Sequence, residues 1–202
     1  MRMTATEYSG LDEAYQHLNA ALFDSALPDC LIVLNRKSNA KGYFAAERFE
    51  NRNLSIKTDE IALNPDAFDG RTDLEILSTL AHEQCHLWQF HFGNAGTKSY
   101  HDSEWANKME SIGLMPSSTG APGGKRTGRK ITHYILSGGA FEKAATQFLH
   151  SGVKINWQSP SERTQKKAPV SKLKFTCPSC QQHAWAKPTA VLMCGACKVL
   201  MS

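Results

Sequence analysis

Between residues 7 and 24 apolar side chains recur at three- and four-residue steps, so that Leu11, Ala14, Tyr15, Leu18 and Leu22 share one face of a predicted helix. Pro28 closes that segment. The period then changes. Leu31-Ile32-Val33-Leu34, Gly42-Tyr43-Phe44-Ala45-Ala46 and Glu60-Ile61-Ala62-Leu63 are short β-rich runs that read as strands. A polar, turn-like stretch over 50–58 separates the last two, and Asn64-Pro65 ends the strand region. Helical spacing returns after Thr72-Asp73-Leu74-Glu75, which has the form of a capping box. Leu74, Leu77, Leu80, Ala81, Leu87 and Trp88 then give an apolar stripe, with Gly93 as its stop. After a polar loop from Asn94 to Ser99, a second helix is predicted from Asp102 or Ser103 through Trp105 and Met109 to Gly113. Residues 116–130, rich in Gly, Ser, Pro and basic side chains, read as loop, and His133-Tyr134 after them as the start of a packed helix or strand. Phe141 to Leu149 reads as one more short helix, and Ser159 to Ala168 as a flexible basic linker. The pattern is that of an α+β chain without internal repeats: an N-terminal helix, a short three-stranded sheet, a long helix and a following helix.

Length and composition sharpen the domain picture. With 202 residues, 41% hydrophobic and 21% charged, the chain has enough material for one ordinary core and a small appendage. We expect a main domain over 5–115, a basic loop, short helix and linker over 116–172, and a separate small unit over 173–202. No apolar run approaches the roughly 18 residues of a membrane span. The first residues lack the apolar core of a signal peptide, so a cytoplasmic protein without membrane partners is expected. The net charge of +4 hides a strong asymmetry. Residues 1–119 carry 10 Lys/Arg against 17 Asp/Glu, whereas 120–202 carry 13 against 2. A basic half of this kind either attracts nucleic acid or is a solvated linker, and the composition of the C-terminus favours the first.

The chemistry concentrates in His82-Glu83-Gln84-Cys85-His86, inside the long predicted helix. Positions i and i+4 share a helical face, so both imidazoles can address one metal ion, with Glu83 beside it to take a proton from water. A catalytic zinc takes three protein ligands, so a third is required. The metzincin spacing is excluded, because Gln89 and Phe92 stand where glycine and histidine are needed. His91 lies about 140° round the helix from His86 and should face elsewhere. His101, after a loop long enough to turn the chain back, is the better candidate; Glu104 is its rival and Glu110 the next. Cys30 and Cys85 read as packing residues.

At the other end, Cys177-Pro178-Ser179-Cys180 and Cys194-Gly195-Ala196-Cys197 are separated by thirteen residues. Two such knuckles can set four thiolates around one structural zinc, and a segment this small needs that metal to fold. Phe175, His183, Trp185, Lys187 and Lys198 can form an aromatic and basic surface for single-stranded nucleic acid. Trp185 can equally be the small core of the unit.

His82-Glu83-x-x-His86 with His101 fifteen residues on and Trp105 four beyond that resembles the SprT-like metallopeptidases, the family that includes the eukaryotic Spartan proteases. Leu18-Asn19, Leu22-Phe23-Asp24, Leu27-Pro28, Gly42-Tyr43 and Ile61-Ala62-Leu63-Asn64-Pro65 add to the likeness, which covers roughly residues 8–115. Asp102 departs from it, since relatives commonly carry glycine there. The resemblance implies a zincin-like domain with a C-terminal zinc ribbon. It implies a catalytic zinc on His82, His86 and His101, Glu83 as the catalytic acid/base, and a structural zinc on Cys177, Cys180, Cys194 and Cys197. It also implies cleavage of proteins associated with or crosslinked to DNA. A nucleic-acid-binding factor that uses the ribbon, with the zincin domain as scaffold, is the alternative expectation.

Overall fold

Helix α1 (Met3–Phe23) buries Leu11, Ala14, Tyr15, Leu18 and Phe23, the face given by the apolar spacing. It starts before residue 7, but its first turns are exposed and Arg2 provides no side-chain cap, so no apolar period marks them. At its other end Asp24 takes a left-handed conformation. The following turn is held by the buried Asn19, whose side chain donates to Leu27 O and accepts from Leu27 N, each at 3.1 Å. Satisfying both backbone groups of Leu27 from one amide leaves neither unpaired in the interior. The computed structural model describes residues 2–37, 40–96, 100–159 and 172–202. They fall into two compact units, Met1–Pro160 and Ser161–Ser202.

Three strands make the sheet of the first unit. β1 (Leu31–Leu34) runs parallel to β3 (Lys57–Leu63), and β2 (Gly42–Glu50) pairs with β3 antiparallel, giving the order β1-β3-β2. Central β3 is the buried one, with Ile61, Ala62 and Leu63 almost inaccessible. β2 extends four residues beyond the expected Ala46. It does so past an irregularity between Ala45 and Phe49, where Glu47 has a positive φ and its N–H donates to Asp59 Oδ1 at 2.7 Å. That outer part is exposed and lacks apolar alternation, so no strand period marks it in the sequence.

Helix α2 (Asp73–Phe92) begins with the capping box in place: Thr72 Oγ1 accepts from Glu75 N, and Glu75 Oε2 accepts from Thr72 N. These bonds hold the Glu75 carboxyl below the usual carboxylate range. A depressed folded pKa contributes stability that is present above the ordinary value of 4.5 and lost as pH falls through the folded value. Thr72→Ala is expected to cost about 1 kcal/mol at neutral pH. That corresponds to roughly 2–4 °C in melting temperature for a unit of this size, and calorimetry should find the difference narrowing in acid. A difference unchanged between neutral pH and acid would contradict the carboxylate's part in the cap.

At the far end of α2, Gly93 is the stop, but its φ of −116° is not left-handed. The glycine leaves room for the Glu104 carboxylate, whose flexible end would have to shift from a Cβ only 2.5 Å away. Helix α3 (Ser103–Ser111) follows with Asp102 as N-cap, its Oδ1 accepting from Trp105 N at 3.0 Å. Asp102 therefore has a capping job that glycine would lack.

The start of a helix or strand expected at His133-Tyr134 is a strand, and its pairing with a strand at Leu114–Ser117 was not anticipated. β4 (Leu114–Ser117) and β5 (Thr132–Ile135) pair antiparallel, so the stretch expected to be loop is framed by a hairpin. Helix α4 (Ala140–His150) then packs on α1, where His17 Nε2 donates to Ala144 O at 2.9 Å. The first unit thus continues past the boundary expected at residue 115 and includes these elements. Of the expected basic linker only Ser159 is among the described residues. No helix is long and apolar enough to cross a membrane among the described residues.

The second unit is a hairpin with two knuckles. β6 (Leu173–Thr176) pairs antiparallel with β7 (His183–Ala186), and Thr176 also exchanges backbone hydrogen bonds with Ser202. The knuckles repeat each other: Gln181 N donates to Cys177 O and Lys198 N to Cys194 O, and both donors have a positive φ.

Candidate metal centre

Helix α2 carries His82, Glu83 and His86, and the strand pair brings up the rest. His101 stands just before α3, where its backbone forms a two-way bridge with Gly128, N to O at 2.9 Å in each direction. Its Nδ1 lies 3.0 Å from the same Gly128 carbonyl. A carbonyl only accepts, so Nδ1 carries the proton and Nε2 keeps its lone pair free for a metal. One donor nitrogen from each of His82, His86 and His101 falls in a group whose members all lie within 4.8 Å of one another. Trp105, four residues after His101 and fully buried, backs the cluster, with its ring 4.3, 4.8 and 5.1 Å from those of His101, His82 and His86.

Electrostatics match this arrangement. Burial depresses the pKa of His82 well below the imidazole norm, and the neighbouring imidazoles of His86, His133 and His101 add to it. Burial brings His86 down to about 3, with His101 contributing, and lowers His101 itself. All three are therefore neutral near pH 7, the form that ligates metal. Glu83 is also buried, which pushes its carboxyl up to about 8, against the pull of the Phe44 backbone N–H and of Lys37. Gly42 lets β2 pass against this carboxyl, because a Cβ there would sit 2.8 Å from Ala62 O and 3.1 Å from Glu83 Oε1.

The competing residues are engaged elsewhere. Glu104 Oε2 accepts from Gln89 Nε2 and Asn94 N at 2.9 and 2.7 Å, closing the end of α2 onto α3. Glu110 pairs with Arg126. His91 Nε2 lies 2.6 Å from Asp59 Oδ2, so it ties α2 to the sheet. Cys85 is fully buried, while Cys30 is partly exposed.

Residues 11–127 match the family described as SprT-like, well over half of the chain. The chain belongs to the SprT-like family. A Salmonella typhimurium protein described as an uncharacterized protein in the mucB 3' region is 40% identical over 58 residues, covering 29% of this chain and 78% of that protein. The family is of metallopeptidase type, and the three-imidazole group is a donor set that a metal such as zinc fits.

One neighbour of the SprT-like cluster was read from sequence as the start of a packed helix or strand, with no site role. His133, on β5, lies with its Nδ1 3.1 Å from His82 Nδ1 and its Nε2 2.8 Å from Ser78 Oγ. Burial takes its pKa down to about 3. A lone histidine in a four-residue strand has no period to expose it, and only the pairing of β5 with β4 brings it here. In the second unit of this SprT-like chain the thiols of Cys177, Cys180, Cys194 and Cys197 form the other donor group, also within 4.8 Å. The backbone N–H groups of Cys197 and Ala196 lower the Cys194 thiol to about 7, whereas Cys180 and burial raise Cys197 to about 12. Adjacent thiols cannot all ionise without a cation among them, which is the condition a metal relieves. Trp185 is 61% exposed, so it is not the core of this unit.

Proposed function

We propose that this SprT-like chain is a zinc-dependent endopeptidase of zincin type, with one catalytic and one structural zinc, that works in the cytoplasm on proteins associated with or crosslinked to DNA. The observation that carries the reading is the buried Glu83 carboxyl beside the His82, His86 and His101 group on the same helix. Zinc held by those imidazoles supplies Lewis-acid polarisation of the scissile carbonyl and lowers the pKa of water to about 7. The protein's own part is proton handling and alignment. Beside a dication in the histidine site the Glu83 carboxyl falls from the value of about 8 set by burial, because the opposite charge favours its charged form. Its carboxylate oxygen then takes the proton of the attacking water and returns it to the leaving amine. Gly42 and the Phe44 N–H keep that carboxyl against the edge of β2.

The DNA half of the reading rests on charge and on exposed aromatic surface. Residues 120–202 carry 13 basic against 2 acidic side chains. Within the ribbon Trp185 is exposed and paired in register with Lys174, which suits stacking on an unpaired base beside a phosphate contact. That surface also supports a second reading, a nucleic-acid-binding factor with the first unit as scaffold. Cleavage of a protein crosslinked to DNA, assayed with and without additional DNA for wild type and Glu83→Gln, separates them. Glu83-dependent cleavage that DNA stimulates is the expected result. DNA binding without any Glu83-dependent cleavage would establish the second reading instead.

A further inference from the structure

The hydrogen-bonded chain behind His82 has only one proton arrangement. Ser78 Oγ lies 2.7 Å from Glu75 O, and a carbonyl cannot donate, so the hydroxyl proton goes there. The hydroxyl oxygen must then accept from His133 Nε2, which fixes that ring's proton on Nε2 and leaves its Nδ1 bare. The facing Nδ1 of His82, 3.1 Å away, must carry the proton of this contact. His82 therefore presents an unprotonated Nε2. Ser78 stands four residues before His82 on α2, so His133 clasps two successive turns of the helix.

We propose that His133 is a positioning residue for the metal, fixing the tautomer and ring orientation of His82 through its Nδ1 while Ser78 fixes its own. The inference rests on the three-histidine reading of the site. It parallels what Gly128 does for His101, so strand β5 and the turn before it set two of the three ligands. Ligand imidazoles whose second nitrogen has a fixed acceptor bind metal more tightly, and loss of such a partner costs about 10–100-fold in affinity.

The test uses cobalt(II) added to the metal-free full-length chain, because thiolate ligation gives a charge-transfer band that reports the cysteine site separately. His133→Phe keeps an aromatic ring but removes both polar atoms. It is expected to weaken cobalt binding at the histidine site about 10–100-fold and leave the thiolate band unchanged. His133→Asn, whose side-chain oxygen can accept where Nδ1 did, is expected to recover most of that loss. Histidine-site affinity in His133→Phe equal to that of wild type would overturn the proposal while leaving the metal site standing. A wild-type chain that takes cobalt only on thiolates would overturn the proposal together with the site beneath it. Should His133→Phe fail to fold, imidazole nitrogen NMR of the wild-type protein decides. His82 protonated on Nδ1 and His133 on Nε2 is the expected pair, and the reverse pair refutes it.

Discussion

Glu83→Gln is expected to retain metal in the histidine site and to lose peptide cleavage by at least about 100-fold, the lower bound of what a positioned general base contributes. The substitution changes charge and proton affinity with little change in shape. A glutamine oxygen can still accept from the Phe44 backbone N–H, and the space allowed by Gly42 still admits the side chain. The three imidazoles and Trp105 are untouched. An amide has no basic oxygen at neutral pH, so the water proton has nowhere to go at this position. Metal content by atomic absorption and single-turnover cleavage of a fluorogenic protein substrate read the two halves separately. Wild-type turnover by the variant would remove Glu83 from the mechanism, and loss of metal together with activity would make it a structural residue.

The second large effect concerns the ribbon. Cys177→Ser is expected to remove one metal per chain and unfold residues 172–202, while the first unit keeps its fold. Cys177 is fully buried, and its N–H and carbonyl both bond within the knuckle, to Gln182 O and Gln181 N. Beyond the cysteines this unit exposes Leu173, Trp185, Val191, Met193 and Leu200, so little apolar burial stabilises it. A structural zinc contributes about 10–16 kcal/mol of apparent binding free energy, far more than such a small core supplies. Amide exchange should rise over 172–202 alone, and DNA affinity should fall with it. A variant that keeps both metals and a protected ribbon would refute the four-thiolate assignment.

Local signals were the legible ones. The capping box of Thr72 and Glu75 is written in four consecutive residues, and His82 with His86 needs only helical periodicity. His101 was within reach because its loop is short. His133 was not, since its approach to His82 depends on a strand register between Met115 and Tyr134 that no nearby residues encode. The same non-local pairing turned the margins of a glycine-rich stretch into strands. Gly93 was readable as a stop, but the backbone there is extended rather than left-handed, and the glycine instead leaves room for the Glu104 carboxylate.

The two-way bridge between His101 and Gly128 also bears on when the three-imidazole group of this chain is assembled. During synthesis α2 leaves the ribosome long before Gly128 and His133, so a nascent chain carries the pentapeptide without the backbone that seats its third imidazole. Contacts this distant in sequence form late. A truncated or stalled product ending before residue 128 therefore displays the motif yet lacks the backbone that seats His101, and the three-imidazole group is complete only with the first unit.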